Sequence, residues 1–311
     1  MIARVADRIV VVGDIAVDIV ARFTGALNVG SDSPATVSMS GGGSAANVAT
    51  WLASLRAAPG SAGVVYVGRV GNDSAGRTQV DALSAAGVDV RAAIDLARPT
   101  GAVVVLVGDD GERTMFPDRG ANAALSAADL PDDVFRRGSH LHVSGYSLLE
   151  ESSRAAALAA LERARAAGMT ISVDPSSAAP LRALGAATFL EWTRGADLCI
   201  ANLAEASELA GDDAPGELAR RLASSTYREV VIKLGAEGAV WSDGDTFVSA
   251  PAVTSRVVDT TGAGDAFAAG FLSSWVTGAP AHEALAAGAG LAAIACATVG
   301  GRPPMDGTGS S

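Results

Sequence analysis

The stretch Val257 to Phe267, VVDTTGAGDAF, brings together residue types that could handle a phosphoryl group. An apolar pair runs into Asp259, Thr260 and Thr261; Gly262, Ala263 and Gly264 then lead to Asp265 and an alanine-rich run. Phe267, Phe271 and Trp275 recur at four-residue spacing, which predicts a helix over 263–276 with one apolar face. A glycine-rich turn emptying into a helix N-terminus presents free N–H groups and the positive end of the helix dipole, an anion site. Gly262 and Gly264 lack a Cβ and let an anion approach the backbone. A carboxylate beside bound phosphate is repelled by it, so binding alone does not account for Asp265. Its presence fits a base that takes the proton from a hydroxyl attacking the phosphorus. The plainer alternative is a turn followed by a residue that suits the helix dipole.

Further candidates sit at the ends of apolar runs. Ile9 to Val12, ended by Gly13, reads as a strand buried on both faces, with Asp14 and Asp18 just beyond it. Ligands of open α/β sheets bind beyond the carboxyl ends of strands, so both carboxylates could meet one. Asp14 also suits turn chemistry, and Asp18, between apolar neighbours, is either buried or sugar-binding. Leu198 to Ala201 leads into Asn202-x-x-Glu205. That pair shares a helix face and could hold Mg²⁺ through water, or cap the helix. The run 229–235 ends at Lys233, the only lysine in the chain, and Gly235 and Gly238 follow it. Arg119 could meet an acidic or hydroxylated substrate, or be a hinge residue.

These residues must be carried by a repeating frame. Strands at 64–68, 139–144, 169–174, 198–201 and 229–235 alternate with helical patterns, including one at 148–167 and another at 282–299. That alternation argues a parallel sheet wrapped by helices. Residues 99–118 break the rhythm, with two β-rich runs flanking a turn at Asp109-Asp110-Gly111. Together with 15–40, whose polar segment 31–40 reads as an edge strand, they suggest a small separate sheet closing over the site as a lid. Asn72 and Asp73 before Ser74 read as a helix cap.

Several function classes drop out. A net charge of −11 disfavours nucleic acid. No window offers the ~20 apolar residues of a membrane span, and no Gly-Lys-Ser/Thr marks a P-loop. Gly41-x-Gly43-x-x-Ala46 matches a loose dinucleotide fingerprint. Residues 48 to 71 contain no acid to hold a ribose, which argues against a dehydrogenase. Cys199 and Cys296 are far apart and in no metal spacing, so buried thiols of a cytoplasmic protein are expected. His140 and His142 alternate on a strand and read as packed; the tail MDGTGSS reads as disordered.

The eleven-residue string around Asp265 closely resembles the C-terminal signature of the ribokinase-like (PfkB) family of sugar and nucleoside kinases. GRVGNDSAG (68–76), GGGSAAN (41–47), RGANAAL (119–125) and Asn202-x-x-Glu205 resemble further motifs of that family, in order along nearly the whole chain. The resemblance implies an α/β ribokinase-like fold over 1–311 with a small β lid, and transfer of the ATP γ-phosphoryl group to an alcohol. It implies Asp265 as base, with Gly262, Ala263 and Gly264 as anion hole. Asp18, Gly42, Gly43 and Asn47 would line the sugar pocket with Asp14 and Arg119 nearby. Asn202, Glu205, Lys233, Gly235 and Gly238 would serve ATP, with Mg²⁺ near Glu205 and a possible K⁺ beside Asp259. A homodimer through the lid is implied too. Ser44 stands where ribokinases proper usually have lysine, which counts against ribose itself. A sugar or sugar derivative is expected ahead of a nucleoside, because aromatic residues, 5% of the chain, offer few platforms for a base. A sugar-binding regulator without turnover is the reading outside enzymes.

Overall fold

The apolar run at 9–12 forms the middle of the main sheet. The computed structural model describes residues 6–55, 63–108 and 113–304. In chain order its strands are β1 (Arg8–Val12), β2 (Ala16–Phe23), β3 (Ala35–Gly42), β4 (Gly63–Gly71), β5 (Asp89–Asp95), β6 (Gly101–Val107), β7 (Arg113–Asp118), β8 (Ser139–Ser144), β9 (Thr170–Asp174), β10 (Leu198–Asn202), β11 (Glu229–Lys233), β12 (Ala239–Ser242) and β13 (Phe247–Ala250). The large sheet has the order β13-β12-β11-β10-β9-β8-β1-β4-β5. All its neighbours pair in parallel except β12 and β13, which close one edge antiparallel.

Because the parallel strands are covered on both sides, their side chains alternate between two cores. Ile9 and Val11 pack with the helices Ser44–Ser54, Ala263–Trp275 and Ala281–Cys296; Val10 and Val12 pack with Arg154–Ala167 and Pro215–Ser225. Phe267, Phe271 and Trp275 all face the first core, with the two phenylalanine rings stacked at 6.4 Å. His140 and His142 are fully buried on β8 and bond Ser172, as a packed pair should. Burial takes His140 down to about 3 and His142 to about 4, so both are neutral.

The second sheet, β3-β2-β6-β7, takes up most of the two stretches expected to form a lid, though the edge strand expected at 31–40 is β3, which starts at Ala35 and runs on to Gly42. β2 pairs antiparallel with β3 but parallel with β6, and β6 pairs antiparallel with β7. The turn at 109–111 and the tail at 305–311 lie outside the described residues.

Two helical expectations are corrected. The pattern at 148–167 is a short turn, Tyr146–Leu149, followed by the helix Arg154–Ala167. The Arg154 guanidinium reaches back to the carbonyls of Leu148 and Leu149 at 2.9 and 3.2 Å, ending the first piece by satisfying its last acceptors. The last helix stops at Cys296 instead of continuing to Val299. The Cys296 carbonyl there receives the Val258 and Asp259 N–H groups at 2.7 and 3.2 Å, which frees the following residues to turn.

Candidate active site

Asp14 follows β1, while Asp174, Asn202 and Lys233 end β9, β10 and β11. Parallel pairing therefore delivers them to one rim of the sheet, the carboxyl-end rim where α/β proteins bind ligands. Register sets the neighbours: Asn202 lies opposite Lys233, and Ser144 opposite Asp174.

Over that rim stands the N-terminus of the helix Ala263–Trp275. Gly262 caps it in the left-handed region at φ 71°, where a Cβ would also come within 2.5 Å of Gly301. Helical bonding begins with the Ala266 N–H to the Gly262 carbonyl at 2.8 Å. The N–H groups of Gly264 and Asp265 have no backbone partner among the described residues. Beside Gly264, a would-be Cβ would lie 3.5 Å from the Lys233 Nζ. The Asp265 carboxylate is gripped from the helix Ser44–Ser54: Ser44 Oγ donates to one oxygen and Asn47 Nδ2 to the other, each at 2.8 Å. Burial pushes its carboxyl up to about 7, against the pull of the Asn47 and Ser44 hydrogen bonds and of Lys233; Asp174 adds to the rise.

Asp14 acts on the same N-terminal turn of the helix Ser44–Ser54. Its carboxylate accepts from the Ser44 and Ala45 N–H groups at 3.1 and 3.4 Å and from Ser144 Oγ at 3.0 Å, which ties the end of β1 to the start of the helix. Asp18 is 8% exposed, and a Cβ on Gly42 would collide with its carboxylate at 2.1 Å. Burial lifts Asp18 to about 6, partly offset by the Arg302 guanidinium. Gly43 sits at φ 90° against the backbone of Asp14 and Ile15, which brings the helix start up to the strand end. Arg119 lies over the Tyr146 ring at 4.2 Å. Asn122, in the RGANAAL motif, bonds the backbone of Ile15 through both ends of its amide, at 3.0 and 2.8 Å.

On the opposite side of Asp265, the lone lysine meets a partner. Lys233 Nζ donates to Asp174 Oδ2 at 2.7 Å. Burial works against that charge, but the Asp174 and Glu205 carboxylates hold the ammonium above its ordinary range. Asn202 and Glu205 form a reciprocal cap, with bonds of 2.8, 2.7 and 2.9 Å, and Glu205 is 1% exposed. Burial, with Asp174 close by, pushes Glu205 up to about 7. Gly235 and Gly238 turn β11 into β12; a Cβ on Gly238 would meet the Ala250 carbonyl at 2.0 Å, so its conformation serves that turn. Asp259 accepts from the Thr261 N–H and Oγ at 2.9 and 2.7 Å and the Gly300 N–H at 3.1 Å, with Arg22 at 3.7 Å.

The structure adds residues that sequence reasoning passed over. Asp174 had a usable signal, an acid ending an apolar strand just as Asp14 does. Ser44, noted in the sequence only for standing at a lysine position, and Arg302 gave no local sign of these roles, because Asp265 and Asn47 lie more than two hundred residues from them. Arg302 Nε donates to Asn47 Oδ1 at 3.3 Å and Nη2 to the Gly42 carbonyl at 2.8 Å. A cavity of about 830 Å³ opens behind Arg302, lined by Gly41, Thr50 and Gln79 among others; neither Asp265 nor Lys233 lines it.

Comparison with known proteins finds matches in both sequence and structure. Residues 6–307 match the pfkB family carbohydrate kinase pattern. An ATP-dependent ribose-1-phosphate kinase of Halopiger xanaduensis is 35% identical, over 79% of this chain and 77% of that protein. A 2-dehydro-3-deoxygluconokinase of Bacillus subtilis is 32% identical, over 81% of this chain and 79% of its own. The crystal structure of adenosine kinase from Sinorhizobium meliloti superposes with a TM-score of 0.84 at 28% identity, covering 96% of both chains.

Proposed function

Because the chain belongs to the pfkB family of carbohydrate kinases, and is thus an ATP-dependent sugar kinase, we propose that Asp265 takes the proton of the acceptor hydroxyl as the γ-phosphoryl group is transferred. The observation that carries this reading is the position of Asp265: a carboxylate lifted towards neutrality, oriented by Ser44 and Asn47, in the first turn of a helix whose Gly264 and Asp265 N–H groups have no backbone partner among the described residues. A base of that acidity is matched to work near neutral pH. The N–H groups of Gly264 and Asp265 and the helix dipole oppose the charge growing on the transferred group, and Lys233 beside Gly264 adds a cation.

Asp174 and Glu205 are hard oxygen donors of the kind Mg²⁺ takes; Glu205, closed off by Asn202, would reach the ion through water, and the ion would neutralise phosphate charge. At Asp259 the carboxylate oxygens already accept three hydrogen bonds and face Arg22, so a K⁺ ion fits there only in part.

Asp18, Asn47 and the backbone at Gly42 and Gly43 form the acceptor side. Arg119, stacked on Tyr146 and without a carboxylate partner among the described residues, suits an acceptor with an acidic group. The two sugar-kinase relatives are named for such acceptors, a sugar phosphate and a sugar acid. ATP consumption over a panel of neutral sugars, sugar acids, sugar phosphates and nucleosides tests the proposal. Turnover of a sugar derivative is expected. Turnover of nucleosides alone overturns the acceptor class, and no turnover at all returns the regulator reading. Chelating divalent cations, and replacing K⁺ with a large organic cation at matched ionic strength, test the two ions in the same assay.

The lid supports pairing of two copies. One rung of its ladder, Met39–Ile19–Val104–Phe116, is wholly apolar, with Met39 69%, Val104 38% and Phe116 55% exposed. A second copy laid on that face would cover it. Phe116→Glu should convert a dimer into monomers in sedimentation; a wild-type monomer at micromolar concentration would rule the pairing out.

A further inference from the structure

We propose that Arg302 is a positioning residue for phosphoryl transfer: it fixes the Asn47 carboxamide in the one orientation that donates a hydrogen bond to Asp265. This rests on Asp265 as the base.

A carboxamide is nearly symmetric in shape, and its two orientations exchange a donor for an acceptor. Asn47 lies between a group that only accepts and a group that only donates. Its Nδ2 faces Asp265 at 2.8 Å and its Oδ1 faces the Arg302 Nε at 3.3 Å. Flipped, it would set its oxygen against a carboxylate and its NH₂ against a guanidinium. Without Arg302, one side of that constraint is gone.

Arg302 is itself held. Its Nη2 donates to the Gly42 carbonyl at 2.8 Å, and its guanidinium lies over Gly41, where a Cβ would come within 2.4 Å of Nη1. The segment that carries it is pinned on three sides. Trp51 Nε1 donates to the Gly301 carbonyl at 2.9 Å, and the Gly300 N–H donates to Asp259 at 3.1 Å. Gly301 packs on Gly262, and a Cβ on Gly301 would come within 2.6 Å of Asn47 Nδ2. One short strap thus joins the acceptor helix Ser44–Ser54 to the turn that presents the anion-binding N–H groups. A side chain so confined, on a segment bonded to both halves of the site, orients its neighbour at little entropic cost.

Charged and titratable groups around Asp265 come from several elements: Asp174 and Lys233 from β9 and β11, Glu205 from the helix Leu203–Ala210, and Tyr146. Around Arg302 stand Asp18 from β2 and Tyr66 from β4. Among the described residues, Asn47 is the side chain that bonds both Asp265 and Arg302. Removing Arg302 should therefore reach Asp265 as a weakened Asn47 bond, which favours the protonated carboxyl and moves the acid limb of the rate profile to higher pH.

The test is a cycle of R302M, N47A and the double variant, with kcat and KM for both substrates followed from pH 5 to 9. R302M should lower kcat about tenfold at neutral pH, within the range for members of one hydrogen-bond network. It should move the acid limb upward and leave the KM for ATP near wild type. In the N47A background, removing Arg302 should cause no further shift of the limb. R302K, which keeps a donor, should return the limb towards the wild-type position, and it serves if R302M folds poorly. A uniform fall at every pH with the limb unmoved, or effects that multiply in the double variant, overturn the proposal. D265N separates the two levels. Loss of turnover there with an unmoved R302M limb sinks the Arg302 proposal alone, and retained turnover sinks the base reading and this proposal together.

Discussion

Asp265→Asn should abolish nearly all turnover while both substrates still bind. The substitution keeps the size of the side chain and its place in the first helical turn, and removes the proton acceptor. A positioned base is worth ~10²–10⁴-fold. Asp265 is also the acceptor for Ser44 and Asn47, which aim it, so a loss near the upper end is expected. The N–H groups of Gly264 and Lys233 are untouched, and ATP should bind as well or better without a carboxylate beside its phosphates. Folding stability should hold or rise slightly. The Asp265 carboxyl titrates at about 7 in the fold, against 3.8 as its ordinary value. The folded state therefore holds the proton more tightly, and the ionised carboxylate opposes folding increasingly as pH rises from about 4 to 7. Asparagine removes that penalty. Calorimetric binding of ATP together with steady-state kcat checks the claim, and turnover above about a tenth of wild type contradicts the base assignment.

Lys233→Met should damage stability as well as rate. Lys233 is bonded to Asp174 with side-chain exposures of 14% and 8%, and Glu205 shares the same charge. Taking away the cation leaves two buried carboxylates facing each other, at a cost of roughly 3 kcal/mol for a broken buried pair. The deficit should depend on pH. Glu205 already titrates at about 7, above its ordinary 4.5, and Lys233 is what restrains that rise. Without it the folded state holds the Glu205 proton more firmly, so the variant binds more protons folded than unfolded from about pH 4.5 upward. Stability is then regained as the pH falls from 7.5 to 5. Turnover should drop about 10²–10³-fold, the scale for one lost charge-stabilising donor. Urea melts at the two pH values decide the matter; equal stability of variant and wild type at pH 7.5 would show that the carboxylates need no cation.

The parts of this site that could be read from sequence are those encoded within a single βα unit. The apolar run at 9–12, the glycine turn before Asp265 and the Asp73 cap each declare themselves over a dozen residues, because periodicity and capping are local physics. Asn202 and Glu205 showed why local reading has limits: a capping box and a metal-binding pair are the same two residues at the same spacing, and the structure shows the box. What could not be read was pairing across the chain. Nothing near Ser44 says that its hydroxyl belongs to Asp265, and nothing near Lys233 selects Asp174. The break at 150–153 was hidden for a related reason: Arg154 is a good helix former whose guanidinium ends the turn before it. Ser176 beside Asp174 is another such case. It sits at φ 69°, and its N–H donates to Asp174 Oδ1 at 2.7 Å, which leaves Oδ2 for Lys233.

The bonds that hold Asp265 and Asn47 bridge sequence separations of 221, 218 and 255 residues. Each closes a loop of more than two-thirds of the chain, and such contacts form late because their ordering entropy is met only once the intervening units have docked. Helices and individual strand pairs can assemble earlier without any of them. During refolding from urea, far-UV circular dichroism should therefore recover ahead of enzymatic activity. A chain trapped with most of its secondary structure in place would be silent in an assay, so activity is the sensitive reporter of whether the last long-range contacts have closed.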